Sequence, residues 1–367
     1  TPYYTQKKYN RQLFFAWFSL FPFDKSSILK VTITDLDIER TISLKHTKEK
    51  VLHLLKQSTA ILSGETLAKE LGVSRTAIWK AIRELDRLGY QIEHLANGYR
   101  YVSSNVLEPE EIAFHYLKEE NIYIHASVDS TMNVAKLATM NPTPIVTPAL
   151  FISEIQTQGR GRFGRDFFAP KGQIYMTLLL RPNQTFEELP QYTLLAAVAV
   201  ASAIDELTGK HSSIKWVNDL FLGEKKVGGI LSEAMSDFET GQISYVAIGI
   251  GLNYAIPSAD FPDELQAKAT SLFSDEAPKV TRNEIIRKIW THFFELIDGL
   301  PDTSYLDYYR QKSFVLGRQV TFTQQGREYV GRAVGISDKG ELIVDTAQGQ
   351  KILSSGEISL SHIEASQ

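Results

Sequence analysis

The sequence predicts an α+β protein of several domains, and three observations carry that prediction. Residues 45–102 form a basic stretch with helix, turn, helix and hairpin signals in that order. Between about 105 and 314, apolar strand-like runs alternate with helical ones, as in a mixed sheet covered by helices. After Val315 the runs shorten and are separated by Gln-Gly and Lys-Gly turns, the pattern of a small β-barrel.

Composition narrows the class. At 367 residues the chain exceeds the usual single domain, and with 43% hydrophobic and 22% charged residues it is an ordinary soluble globular sequence. It has no cysteine, which excludes disulfides, thiolate metal sites and cysteine nucleophiles and fits a cytoplasmic protein. The net charge of −4 hides an asymmetry: residues 45–102 carry ten Lys/Arg against six Asp/Glu, or +4, so the remainder carries −8.

Residues 1–44 precede the patterned regions. Lys7, Lys8 and Arg11, followed by the apolar run from Leu13 to Phe23, resemble the charged and apolar parts of an export signal. The run is rich in phenylalanine, contains Pro22 and lacks a clear small-residue cleavage site. An appended segment, an incorrectly chosen start or a short docking element, of unknown role, is therefore expected.

The basic stretch reads as a winged helix-turn-helix. Val51, Leu52, Leu54 and Leu55 give a first helix its apolar face; Ser63 caps a second, with Leu67, Ala68 and Leu71 inward, and Gly72 ends it. Ser74 caps a third helix in which Ile78, Ile82 and Leu85 recur on the buried side. That directs Arg75, Thr76, Lys80 and Arg83 outward, where they can meet a DNA groove and its phosphates. Gly89 ends this helix, and Asn97-Gly98 turns two short strands into a wing. The same pattern would also serve a three-helix interaction module with a solvated charged face.

Residues 103–108 read as a linker, followed by a helix from Pro109 to about Glu119. Strands are expected at Val146–Ile155, Ile174–Leu180 and Ile243–Gly251, and helices at Tyr192–Leu207 and Arg282–Ile297. The last region predicts strands at Val320–Thr323, Tyr329–Val334, Leu342–Val344 and Lys351–Leu353.

The candidate chemistry concentrates in Gln156-Thr-Gln-Gly-Arg-Gly-Arg-Phe-Gly-Arg165, Lys215-Trp-Val-Asn-Asp219 and Lys226-Val-Gly-Gly229. Gly159, Gly161 and Gly164 let backbone N–H groups approach an anion closely. Arg160, Arg162 and Arg165 add planar guanidinium forks that match carboxylate and phosphate oxygens. The loop joins two strand-like runs, as a binding loop on a rigid scaffold does. Together the three motifs suit a nucleotide plus a carboxylate.

The loop resembles the Gly-Arg-Gly-Arg-x-Gly signature of biotin-protein ligases, and Lys215 to Asp219 resembles their Lys-Trp-Pro-Asn-Asp turn. Further similarity lies in Asp129-Ser-Thr-Met-Asn133, Lys226-Val-Gly-Gly-Ile-Leu231, Gly249-Ile-Gly-Leu-Asn253 and Ala269-Thr-Ser-Leu272, spanning roughly residues 45–362. The resemblance implies a winged helix-turn-helix at 45–104, a biotin/lipoate ligase-like catalytic domain at 105–314 and an SH3-like barrel at 315–367. It also implies ATP, magnesium and biotin, formation of biotinyl-5'-AMP, and transfer to a lysine of a biotin carboxyl carrier domain. Repression of biotin synthesis or transport genes follows from the same resemblance, with the adenylate as corepressor of a homodimer on operator DNA.

By that resemblance Ser130, Thr131, Met132, Gln156, Arg160, Gly161, Arg162 and Lys226 hold biotin. Arg160, Arg162, Gly164, Arg165, Phe167, Lys215, Asn218, Gly229 and Asn253 hold the nucleotide. Arg162 and Lys226 face the forming anhydride, and Asp219 orients or deprotonates the acceptor lysine. Alone, Ser130 and Thr131 would equally cap a helix, and Asp219 would equally form an Asx-turn. Three positions depart from the family pattern. Met132 stands where many members have Asn, Val217 replaces the turn proline, and Phe167 replaces a tryptophan, keeping a smaller stacking face. Lipoate-protein ligase chemistry, a ligand-sensing repressor without turnover, and a ligase with a non-DNA interaction module remain as alternatives.

Overall fold

The computed structural model describes residues 47–182, 189–236, 243–354, 356 and 358–360. The segment 1–44 lies outside the described residues. Two compact units form: the first holds described residues up to Arg87 and Ile92–Tyr101, the second Leu88–Gln91 and the chain from Val102 onward.

In the first unit, α1 (47–57), α2 (Gly64–Leu71) and α3 (Arg75–Leu88) pack around Val51, Leu55, Leu67, Ile78, Ile82 and Leu85, all at most 1% exposed. Their ends follow local capping chemistry. Ser63 Oγ accepts from Thr66 N at 2.9 Å, Gly72 takes a φ of 65°, and Ser74 Oγ accepts from Ala77 N at 3.2 Å. Strands β1 (Tyr90–Leu95) and β2 (Gly98–Ser104) form the wing hairpin.

The second unit is built on a seven-stranded sheet. Its strands are β3 (Ile122–His125), β4 (Ala149–Ser153), β5 (Ile174–Leu180), β6 (Ser212–Lys215), β7 (Asp219–Leu222), β8 (Lys225–Ser236) and β9 (Ile243–Leu252), in the order β3-β4-β5-β9-β8-β7-β6. Only β3 and β4 run parallel; the other neighbours are antiparallel. Strand β5 is buried along its whole length because both faces are covered. Ile174, Met176, Leu178 and Leu180 enter the large core, while Leu179 joins a smaller cluster with Met132, Ala135 and Phe151.

Helix α4 (Pro109–Ile112) is much shorter than the expected Pro109–Glu119 helix. The chain leaves helical geometry at Ala113, Phe114 N donates to Leu117 O, and the Tyr116 ring stacks on Phe294 at 5.1 Å. Tertiary aromatic packing thus overrides helical propensity. Helix α5 (Thr131–Thr139) covers the small-cluster face, while α6 (Leu189–Thr208) and α8 (Arg282–Asp298) bury the large core and α7 (Asp263–Gln266) lies between β9 and α8 in sequence. Thr281 and Glu284 close a reciprocal capping box on α8. Helix α9 (Ser304–Gln311) escaped the sequence pattern.

The expected linker is anchored rather than free. Arg282, 5% exposed, pairs through both guanidinium nitrogens with the Glu154 carboxylate at 2.8 and 2.9 Å and also donates to the Gln173 and Asn105 carbonyls. Asn283 Nδ2 donates to Val106 O at 2.8 Å. The Tyr254 hydroxyl lies 2.9 Å from Asn105 Oδ1, and burial pushes its pKa up to about 12.

The chain ends in an antiparallel five-stranded sheet, β10 (Gln319–Gln324), β11 (Arg327–Ile336), β12 (Leu342–Thr346), β13 (Gly349–Leu353) and β14 (Ile358–Leu360), ordered β13-β12-β11-β10-β14. The fifth strand went unrecognised because it is only three residues long.

Candidate active site

The N-terminus of α5 forms one end of a cavity. Ser130 Oγ accepts from Met132 N at 3.2 Å, so Ser130 both caps the helix and lines the cavity. The Asp129 carboxylate accepts from Asn133 Nδ2 and from Ser130 N, each at 2.7 Å, and these bonds hold its pKa below the usual carboxylate value. Thr131 is tied in a polar chain across three elements. Gln156 Oε1 accepts from Thr131 N at 2.8 Å and Thr131 Oγ1 at 3.1 Å, while Thr177 Oγ1 donates to Thr131 Oγ1 at 2.9 Å. Thr177 was missed at the sequence level, although it is the lone aliphatic hydroxyl in the apolar run Ile174–Leu180.

Two glycines of β9 make the floor. A Cβ at Gly249 would lie 2.9 Å from Met132 Cε, and one at Gly251 would lie 2.8 Å from the Phe167 ring. A larger residue would displace Met132 at the first position and Phe167 at the second. Met132 is accordingly buried under the cavity, and the Phe167 ring lies over the sheet, edge-on to Tyr175 at 6.2 Å.

The arginine loop doubles back on itself: Gly161 N donates to Arg165 O at 2.8 Å and Phe167 N to Gly159 O at 2.9 Å. Phe163 takes a φ of 58° and projects into solvent. The fold brings Arg162 Nη1 within 3.1 Å of Asn218 Oδ1, and Asn218 Nδ2 donates in turn to Ile230 O at 2.7 Å. Lys226 Nζ pairs with Asp219 Oδ1 at 2.7 Å. The Lys215-to-Asp219 segment is thus a β-turn region: Lys215 and Asp219 face each other across β6 and β7, and Asp219 faces Gly229 across β7 and β8. The Trp216–Val217 peptide is cis, and the Tyr309 hydroxyl donates to Val217 O at 3.0 Å.

Arg160, Arg162, Arg165, Lys215 and Lys226 line the cavity against Asp166 and Asp219, a balance of five cations to two carboxylates. A site of that charge concentrates anions. Ser130, Thr131, Met132, Gln156, Gly161, Phe167, Asn218 and Gly229 also stand on its wall. Gly164 and Asn253 do not. The Asn253 amide, 7% exposed, donates to Thr270 O at 2.9 Å and Leu272 N donates to its carbonyl, so Asn253 stitches the Ala269-to-Leu272 segment to the sheet. Its position just past a strand concealed this, because the partner lies 17 residues away in the chain.

The C-terminal sheet contributes to the same wall. Gly356 and Ile358 line the cavity, and Trp216 Nε1 donates to Gly340 O at 2.9 Å. Reading the last region as an independent barrel had hidden this contribution.

A cavity that combines neutral donors and acceptors with a cluster of cations suits the class of carboxylate-activating ligases. Residues 124–253 match the biotin/lipoate A/B protein ligase family, 47–100 an HTH domain, and 315–361 the biotin protein ligase C-terminal domain. The chain is 35% identical over 332 residues to the bifunctional ligase/repressor BirA of Bacillus subtilis (strain 168), covering 85% of this chain and 98% of that one. It is 26% identical over 307 residues to BirA of Escherichia coli (strain K12), covering 82% and 94% respectively. A solved biotin protein ligase from Aquifex aeolicus, in complex with biotin and ATP, superimposes with a TM-score of 0.57 at 29% identity over 66% of this chain and 99% of that one. The chain belongs to the biotin-protein ligase family, in its bifunctional ligase/repressor form.

Proposed function

We infer that this protein makes biotinyl-5'-AMP from biotin and ATP, transfers biotin to a lysine of a biotin carboxyl carrier domain, and represses biotin synthesis or transport genes through its winged helix. The cavity carries this inference, because its wall combines neutral donors and acceptors with five cations. Ser130, Thr131 and Gln156 suit the ureido ring, which needs both donors and acceptors, and Met132 supplies apolar contact. Arg160, Gly161, Arg162 and Lys226 surround the carboxylate. Arg165, Phe167, Lys215, Asn218 and Gly229 take the nucleotide, with the phenyl ring against adenine.

In the first step a carboxylate oxygen forms a bond to the α-phosphorus, the bond to the bridging oxygen breaks, and pyrophosphate leaves. Two anions must approach each other, so the guanidinium and ammonium groups offset their repulsion. In the second step the acceptor amine attacks the acyl carbon and AMP leaves. Asp219, held by Lys226, orients that amine or takes its proton. No group of three or more His, Asp or Glu side chains is placed to hold a metal among the described residues. Magnesium, which retains waters and binds through substrate phosphates and one or two carboxylates, would enter with the nucleotide. It would offset phosphate charge.

The proposed domain limits are 45–104, 105–314 and 315–367, and the proposed compartment is the cytoplasm. No described helix is long and apolar enough to cross a membrane. Radiolabelled biotin, ATP and magnesium with a carboxyl carrier domain should yield protein-bound label. No transfer, or transfer of lipoate in biotin's place, would sink the assignment.

The two activities are linked through the adenylate. It spans both ends of the cavity, orders the arginine loop and the 254–268 segment, and promotes a homodimer that meets two operator half-sites. A ligand shifts that equilibrium only by its differential affinity for the two states. Sedimentation should therefore show more dimer with biotin plus ATP than with biotin alone or no ligand. Identical equilibria in all three would leave repression without a switch.

A further inference from the structure

Helix α3 divides cleanly into two faces. Ile78, Ala81, Ile82 and Leu85 are at most 1% exposed, while Arg75, Thr76, Lys80 and Arg83 stand in solvent. Trp79 belongs by helical geometry to the second face and is 51% exposed. A large indole half in water on an otherwise polar face calls for an explanation from what covers it.

Its surroundings specify the partner. Arg83, one turn further on, places its guanidinium carbon 5.4 Å from the centre of the Trp79 ring, so a cation already lies against the indole. Acidic groups of the same unit are engaged elsewhere: Glu84 by Lys48 and Asp86 by His94, each at 3.0 Å, and Glu93 by Arg100. Among the described residues no carboxylate lies within ion-pair distance of Arg75, Lys80 or Arg83. The face is therefore an apolar plate framed by cations, and an anionic duplex complements it.

We propose that Trp79 is a base-reading residue whose indole packs against the 5-methyl group of a thymine in the major groove, while Arg75, Lys80 and Arg83 grip the phosphates around it. The thymine methyl is the apolar feature the major groove offers, and a recognition helix reads base edges from its N-terminal turns, where Trp79 sits. The proposal rests on the DNA-binding role given above.

Its test separates the two. The full chain, with biotin and ATP, selects duplexes from a randomised library, and each thymine of the selected site is then replaced in turn by deoxyuridine, which lacks only the methyl. One thymine per half-site should prove sensitive, its replacement weakening binding about fourfold, the value of one buried methyl group. In Trp79→Ala that sensitivity should vanish and the selection for thymine there should relax, with the helical circular dichroism and thermal unfolding of the full chain unchanged as evidence that the first unit still folds. Lys80→Ala should instead weaken every duplex alike and lower the salt slope by about one. If Trp79→Ala selects the same site and keeps the same methyl sensitivity, Trp79 is not a reader. If the wild-type chain selects no duplex, the DNA-binding role falls and the proposal with it.

Discussion

Arg162→Ala is expected to slow biotinyl-adenylate formation by about two to three orders of magnitude, the cost of removing one preorganised donor at developing charge, with thermal unfolding unchanged. The side chain reaches the cavity from a loop and donates to Asn218 Oδ1, whose amide remains anchored on Ile230 O. Little packing is lost, yet the fork proposed to face the carboxylate and α-phosphate disappears. Arg162→Lys should recover only part of the rate, because an ammonium cannot donate two parallel bonds. Pyrophosphate release measures the step directly. Wild-type release from a normally stable Arg162→Ala protein would remove Arg162 from the chemistry.

The second large effect is on stability. Arg282→Ala should destabilise the second unit by about 3–5 kcal/mol, as expected when one partner of a buried ion pair is removed. Three acceptors lose a donor at once: the Glu154 carboxylate and the carbonyls of Gln173 and Asn105. Glu154 keeps 21% side-chain exposure, so water relieves part of its loss and the lower end of that range is expected. Urea unfolding followed by the fluorescence of buried Trp290, on the same helix, would report it. An unchanged midpoint would mean that the guanidinium network contributes no net stability.

Most of what could be read from the chain alone is local. Ser63, Gly72 and Ser74 delimit helices through bonds to residues within four positions, and the Thr281/Glu284 box does the same for α8. The apolar periods of α3 and of Ile174–Leu180 are likewise visible over single elements. The arginine loop, the Lys215-to-Asp219 segment and Lys226 were legible as motifs for the same reason.

What brings those motifs together is not local. Arg162 meets Asn218 across 56 residues, Trp216 meets Gly340 across 124, and Arg282 meets Glu154 across 128. The first follows from the strand order β5-β9-β8-β7 and the other two from the packing of the C-terminal sheet and of α8, none of which local propensities encode. The shortened helix at Pro109, the polar chain through Thr177, the structural use of Asn253 and the contribution of Gly356 and Ile358 to the cavity share this origin. By itself the sequence determined the domain types, the chemistry the side chains can perform and the long periodic elements, but not the length of α4 or the presence of α9 and β14. Tertiary packing decided which of those side chains face one cavity, because only the assembled sheet makes residues far apart in the chain neighbours in space.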